Sequence, residues 1–229
     1  LTPGGFLLYN DKEVNQMAKI MIASREEAID ILSNSKYNEL VSAIVSISEV
    51  NKSCPKEVEK ARKDKIVLTL HFDDLDNDCI EKLGKDKSKY QPPTEKDVWP
   101  LLKNSKIILD SGGIILVHCA AGISRSSAAA FILKCLDLGQ GHEAEALEYL
   151  LKGRPYICPN DLMVDIAQEL LGPGWRMSEV IQKFRGNRPL ATTLDDDVGQ
   201  LLQKGRLLKY DRCGAFEQTG SQNTGALGR

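Results

Sequence analysis

The sequence is poor in histidine and in closely spaced cysteine. Only His71, His118 and His142 are present, each in a different context, and the six cysteines (54, 79, 119, 135, 158 and 213) form no Cys-x-x-Cys pair. These absences leave no ligand set for a structural zinc and no spacing for a disulfide framework, so free thiols in a reducing compartment and no cofactor are expected. Charge of one sign is missing too. Thirty basic residues face 32 acidic ones, a formal charge of −2 that gives no overall field toward nucleic acid or acidic lipid. Apolar runs such as Ile114 to Val117 and Leu147 to Leu151 fall far short of the roughly 20 residues a bilayer requires, and the first residues show no basic stretch followed by a long apolar one. A soluble, cytoplasmic protein without membrane insertion is expected. Any anion site in it must be local.

What is present is enough for one domain with a buried core plus a tail: 229 residues, 42% of them apolar. Val41 to Ile47 and Ile66 to Leu70 alternate and are rich in β-branched residues, Ile114 to Val117 is a short apolar run behind Gly112-Gly113, and Met17 to Ala23 adds a fourth candidate strand. Between them lie helical patterns at Arg25 to Leu32 and Val98 to Leu109, the second with Asp97 as its expected cap and Pro100 in its first turn. From residue 126 onward the pattern is helical, with Ser126 to Leu138, Glu143 to Lys152 and Leu162 to Leu171 each followed by glycine, the last opening behind Asn160-Asp161. Strands alternating with helices predict an α/β layer fold with a central, mostly parallel sheet flanked by helices. Pro173-Gly174 marks an expected boundary between a domain of residues 1–172 and a weakly ordered extension, 173–229, holding one amphipathic helix from Met177 to Phe184.

One segment carries chemistry: His118-Cys119-Ala120-Ala121-Gly122-Ile123-Ser124-Arg125-Ser126, set between a buried strand and a helix. In that position the successive amides from Ala120 to Arg125 can curl around one point at the helix N-terminus and form an anion cradle. Gly122 relieves the backbone where a side chain would clash or φ must be positive, and Arg125 offers a planar bidentate fork, so phosphate is the matching ligand. Cys119, at the start of the cradle, feels the same amides and helix dipole, a setting that favours the thiolate. A lone cysteine reads as a small buried hydrophobe. Joined to Gly122 and Arg125 at this spacing, Cys119 reads as a nucleophile placed in line with phosphorus.

This segment resembles the Cys-x5-Arg signature loop of the protein tyrosine phosphatase superfamily, closest to its dual-specificity branch and to bacterial-type short phosphatases. Arg154-Pro155 and Pro159-Asn160 resemble the Arg-Pro…Pro-Asn element of the same proteins. Roughly residues 40 to 172 are covered. The resemblance implies a phosphatase-like α/β fold and a phosphorylated protein or peptide as partner. It assigns Cys119 as nucleophile, Arg125 as phosphate clamp, and Ser126 as the hydroxyl that helps release the thiolate. It also implies that His118 orients the loop and tunes the thiol, and that Asn160 braces the loop from behind.

Hydrolysis also requires a carboxylic acid at the leaving oxygen. At the family's usual spacing of about thirty residues before the cysteine stands Lys87, beside Asp86, which departs from the pattern. The acid is instead expected directly after the strand Ile66 to Leu70, in His71-Phe72-Asp73-Asp74-Leu75-Asp76, where a side chain emerges beside the cradle. Asp74 is chosen, with Asp73, Asp76, Asp78 and Asp86 as alternatives. From Glu81 to Lys96 a lysine-bearing insert surrounds Tyr90 and Pro92-Pro93 and reads first as an exposed loop, second as a basic rim for phosphorylated substrates.

Other classes fit less well. A rhodanese-type loop has four residues between cysteine and arginine rather than five, and low-molecular-weight phosphatases and arsenate reductases carry their loop near the amino terminus. A phosphatase of phosphoinositides or other small phosphate esters is the enzymatic runner-up; one acting on inositol lipids is expected to carry lysines in the loop, whereas Ala120, Ala121, Ile123 and Ser124 are neutral. Outside enzymes, the alternative is a non-catalytic phosphate-binding scaffold on the same fold. Oligomeric state is not encoded in any of these features.

Overall fold

The computed structural model describes residues 17–76, 79–80 and 89–186. Four strands, β1 (Lys19–Ala23), β2 (Val41–Ser48), β3 (Ile66–His71) and β4 (Ile114–His118), form one sheet in the order β1-β4-β2-β3, with every pair parallel. The expected α/β fold is present. The central strands β4 and β2 are apolar and buried along nearly their whole length, as a sheet covered on both faces requires.

Eight helices are described: α1 (Arg25–Ser33), α2 (Ser35–Asn38), α3 (Lys56–Ala61), α4 (Glu95–Leu109), α5 (Arg125–Leu138), α6 (Glu143–Gly153), α7 (Asp161–Leu171) and α8 (Met177–Gly186). On one face, Ala28 and Leu32 of α1 and Val58 and Ala61 of α3 pack on Ala23, Val41, Ile44 and Leu116. On the other, α4 to α8 cover Ile20, Ile22, Ala43, Val45, Ile47, Ile115 and Val117. Helix α5 is the centre of that second layer: every residue from Arg125 to Cys135 is buried, and Ala128, Ala129 and Ala130 let it lie close to the sheet.

This layering positions a site. Strand β4 sends its chain into α5 on one face, while its neighbours β1 and β2 send theirs into α1 and α3 on the other. The loops therefore diverge at the carboxyl end of β4, the usual binding place of open α/β sheets. Edge strand β1 is held by a buried ion pair: Lys134 Nζ lies 2.8 Å from Asp137 Oδ2 and 4.3 Å from the centre of the Tyr149 ring. Asp137 accepts the Ala18 amide at 3.1 Å, Lys134 donates to the Ala18 carbonyl at 3.2 Å, and the Tyr149 hydroxyl accepts the Ile20 amide at 3.2 Å.

Three boundaries differ from the sequence reading. β1 begins at Lys19 rather than Met17. α4 begins at Glu95 with Thr94 as N-cap, and Asp97 takes the third helical position, where its carboxylate accepts the Thr94 amide at 2.9 Å. Asp97 thus belongs to the cap without being the cap residue, and Pro100 lies beyond the first turn. Finally, Pro173-Gly174 is a turn inside the packed unit. Met177 and Ile181 of α8 are fully buried, and Trp175, Val180 and Phe184 pack on the same core. The expectation of weak order from residue 187 onward lies outside the described residues. No described helix is long and apolar enough to cross a membrane.

Candidate active site

The chain leaves β4 at His118, turns through residues 119–124 and enters α5 at Arg125. Cys119 is 2% exposed, at the bottom of that turn. Its Sγ accepts the Gly122 amide at 3.3 Å and lies 3.2 Å from Ser126 Oγ on the first turn of α5. Gly122 has φ +73°, and a Cβ there would sit 2.6 Å from Ala23 C and Ser24 N, so the β1–α1 turn is packed directly on the loop. Only glycine meets both demands.

The loop carbonyls face outward. Ala120 O accepts from the Arg25 amide (3.0 Å), Ala121 O from Arg154 Nη2 (3.4 Å), and Ile123 O from the Cys158 amide (2.9 Å) and the Ser127 hydroxyl. Ser124 O accepts from Ser127 Oγ at 2.8 Å and from the Asn160 amide at 3.4 Å. With the carbonyls used from outside, the amides of Ala120, Ala121, Ile123, Ser124 and Arg125 are left with no acceptor among the described residues. A ring of unpartnered N–H groups at the start of a helix is a seat for an oxyanion.

Arg125 is 2% exposed, and its guanidinium is fixed from the outer side. Nη1 donates to Phe72 O at 2.9 Å and Nη2 to Glu49 Oε1 at 3.0 Å, while Nε is buried without a hydrogen bond, 3.5 Å from Asp74 Oδ2. Burial pulls the guanidinium pKa down, but Asp74, Cys119 and Glu49 outweigh it and raise the value. Burial likewise pushes the Glu49 carboxyl up, but the charge of Arg125, hydrogen bonds from the backbone and from Arg125, and the charge of Lys52 together outweigh it, so Glu49 is held below its ordinary 4.5. Glu49 was not singled out in the sequence. The signal for it lies in register: Ser46 pairs with His118, so residues just beyond β2 run beside the cradle.

Among the aspartates, Asp74 Oδ1 accepts from Ser124 Oγ at 2.6 Å and from Asn160 Nδ2 at 3.1 Å. Asp73 is joined to Gln91, accepting its amide at 2.9 Å and donating to its carbonyl at 2.8 Å. Asp76 accepts the Cys79 amide at 2.8 Å and lies 3.5 Å from Arg185 Nη2. Asp78, Asp86 and the lysines at 82, 85 and 87 lie outside the described residues. The structure therefore brings Asp74 alone of the described candidates into contact with the cradle and its arginine.

Asn160 has two tasks. Its Oδ1 caps α7 by accepting the Met163 amide at 3.0 Å, and its Nδ2 donates to Leu75 O at 3.0 Å as well as to Asp74. His118 is 1% exposed, and neither ring nitrogen has a hydrogen-bond partner among the described residues. Burial, offset in part by the Cys119 backbone, moves its pKa down from 6.5 to about 4, so the ring is neutral. Arg154, noted in the sequence for its motif alone, ties the loop at Ala121 O to β1 at Ile22 O (3.3 Å) and to α1 at Glu27 (2.8 Å).

The chain is similar to three solved structures of phosphatases. One is human DUSP28, with 17% identity, a TM-score of 0.46, and coverage of 72% of this chain and 94% of that one. The second is PTPMT1 in complex with PI(5)P, with 15% identity, a TM-score of 0.43, and 73% and 93% coverage. The third is Tk-PTP in its active form, with 17% identity, a TM-score of 0.44, and 71% and 92% coverage. No family model matches the chain, and no curated protein does.

Proposed function

We propose that this chain is a cysteine-dependent phosphomonoesterase acting on phosphorylated proteins or peptides, on phosphotyrosine and on phosphoserine or phosphothreonine. The observation that carries the reading is the buried Cys119 Sγ beneath loop amides that have no acceptor among the described residues, beside an Arg125 Nε–H that makes no hydrogen bond among them and lies 3.5 Å from Asp74 Oδ2. Such donors cost free energy when left dry, and a phosphate dianion satisfies them together. The neutral side chains of Ala120, Ala121, Ile123 and Ser124 favour a monoester over a polyphosphorylated lipid headgroup.

The reaction runs in two displacements. The Cys119 thiolate attacks phosphorus, the ester P–O bond breaks, and Asp74 gives its proton to the departing oxygen. Water then attacks the phosphocysteine, Asp74 takes up its proton, the S–P bond breaks, and inorganic phosphate leaves while the Ser126 hydroxyl donates to the returning thiolate. No metal or organic cofactor is needed. The five described cysteines are all free.

A second reading has its own support: Asp74 Oδ1 is already engaged by Ser124 and Asn160, as in a site that holds phosphate without turning it over. Turnover of p-nitrophenyl phosphate with Cys119→Ser as control separates the two. Catalysis predicts turnover in the wild type, none in Cys119→Ser, and a phosphotyrosyl peptide bound by both. Binding without any cysteine-dependent turnover selects the scaffold.

A further inference from the structure

We propose that Arg185, near the end of α8, is a positioning residue for the proton-donating loop; the proposal rests on Asp74 as general acid. Arg185 Nη1 donates to Asp161 Oδ2 at 2.6 Å, Nη2 donates to Pro159 O at 3.0 Å, and Nη2 also lies 3.5 Å from Asp76 Oδ2. These acceptors belong to the two segments that hold Asp74. Pro159 and Asp161 flank Asn160, which donates to Asp74 Oδ1 and Leu75 O, and Asp76 follows Asp74 by two residues. One guanidinium thus links both sides of the general acid.

The link is anchored at its far end. Met177 and Ile181 bury α8 in the main core, the Ser178 amide donates to Gln168 Oε1 at 3.1 Å, and the Arg176 amide donates to Glu143 Oε1 at 3.2 Å. The contacting side chains are partly shielded, 22% exposed for Arg185, 17% for Asp161 and 13% for Asp76, so this is not a freely solvated surface pair. A planar fork can serve three acceptors from fixed directions, which an ammonium on a flexible stem does less well. None of these contacts involves Cys119 or the cradle residues 120–125 directly; the clamp bears first on the proton donor, and the leaving-group split separates that role from any effect passed to the cradle through the Asn160 amide on Ser124 O.

The test is the dependence of rate on leaving group, measured on the full chain. Loss of acid positioning harms phenyl phosphate, whose leaving oxygen needs a proton, far more than p-nitrophenyl phosphate, whose leaving group is stable as an anion. Arg185→Ala is expected to lower kcat about tenfold on the first and less than about twofold on the second, a fraction of what full acid catalysis contributes. In an Asp74→Asn background it is expected to add nothing further. Arg185→Lys, a milder change that keeps the charge, is expected to show the same split to a smaller degree, and melting temperatures check that each variant is folded. Equal losses on both substrates, or no loss on either, overturn the proposal. If Asp74→Asn is itself indifferent to leaving group, the acid reading fails and this proposal with it; if Asp74→Asn discriminates and the Arg185 variants do not, only the clamp is lost.

Discussion

Glu49 Oε1 and Arg125 Nη2 meet at 3.0 Å beyond the carboxyl ends of two neighbouring strands, a carboxylate from the end of β2 gripping the arginine that follows β4. The grip occupies Nη2, Phe72 O occupies Nη1, and Nε is left without a hydrogen bond among the described residues. Glu49 therefore orders the clamp while opposing, by its charge, any anion that enters.

Those two effects separate in kinetics. Glu49→Gln removes the opposing charge and the rigid partner together, so KM for a phosphomonoester is expected to fall while kcat drops about tenfold. Steady-state assays at neutral pH measure both. A raised KM with unchanged kcat would contradict this account of the pair.

Gly122→Ala is expected to be far worse than Gly112→Ala. Both glycines have positive φ, but nothing lies within 4 Å of a Cβ at Gly112, whereas at Gly122 the Cβ meets β1–α1 backbone at 2.6 Å. Conformation alone costs about 1–2 kcal/mol. The Gly122 variant should lose about 3 kcal/mol or more, together with most of its activity, because the amide that reaches Cys119 Sγ is displaced. Denaturant melts of the two variants, read side by side, give the comparison.

His118 makes stability depend on pH. Its pKa is about 4 folded and 6.5 in an open chain. The unfolded chain therefore binds more protons between these values, and stability falls as pH drops from 6.5 to 4. The loss amounts to about 3 kcal/mol. Glu49 and Glu27, held below 4.5, act in the same direction at lower pH. Unfolding curves between pH 6.5 and 4.5 should slope in the wild type and flatten in His118→Gln; equal slopes would remove His118 as the source.

Ser126→Ala is expected to slow the second displacement only. The hydroxyl lies 3.2 Å from Cys119 Sγ, and in the proposed reaction it donates to sulfur as it leaves phosphorus. Rapid-quench measurements should show an undiminished burst of p-nitrophenol followed by a steady rate lower by about tenfold. A variant that loses the burst would place Ser126 in the first displacement.

Much of the fold was legible in residues 19–171 because the strands are short, β-branched runs and α5, α6 and α7 end at glycine. The cradle was legible as well, since one contiguous run from His118 to Ser126 supplies it. The rest was hidden for a common reason. Glu49 and Arg185 reach the site from sequence-distant segments, and only strand order and helix packing bring them there; in the sequence each is one charge among many, while Arg154 was legible as part of a motif but not as a tie between the loop and β1. Helix α8 was visible as an amphipathic pattern, but Pro173-Gly174 reads as a boundary until Met177 and Ile181 are seen buried. Asp97 and Thr94 share one cap, and the pattern of apolar residues locates a helix more sharply than it locates the residue that begins it.

The outward-turned carbonyls of the cradle have a consequence for how selectivity can change. The seat is built from main chain and held by main-chain acceptors, while the side chains of Ala120, Ala121 and Ile123 stand half-buried at its lip and take no hydrogen bond. For the proposed hydrolysis, mutation at these three positions is expected to change which esters are preferred while the machinery beneath stays intact, so descendants of such a scaffold can diversify without first having to rebuild their chemistry.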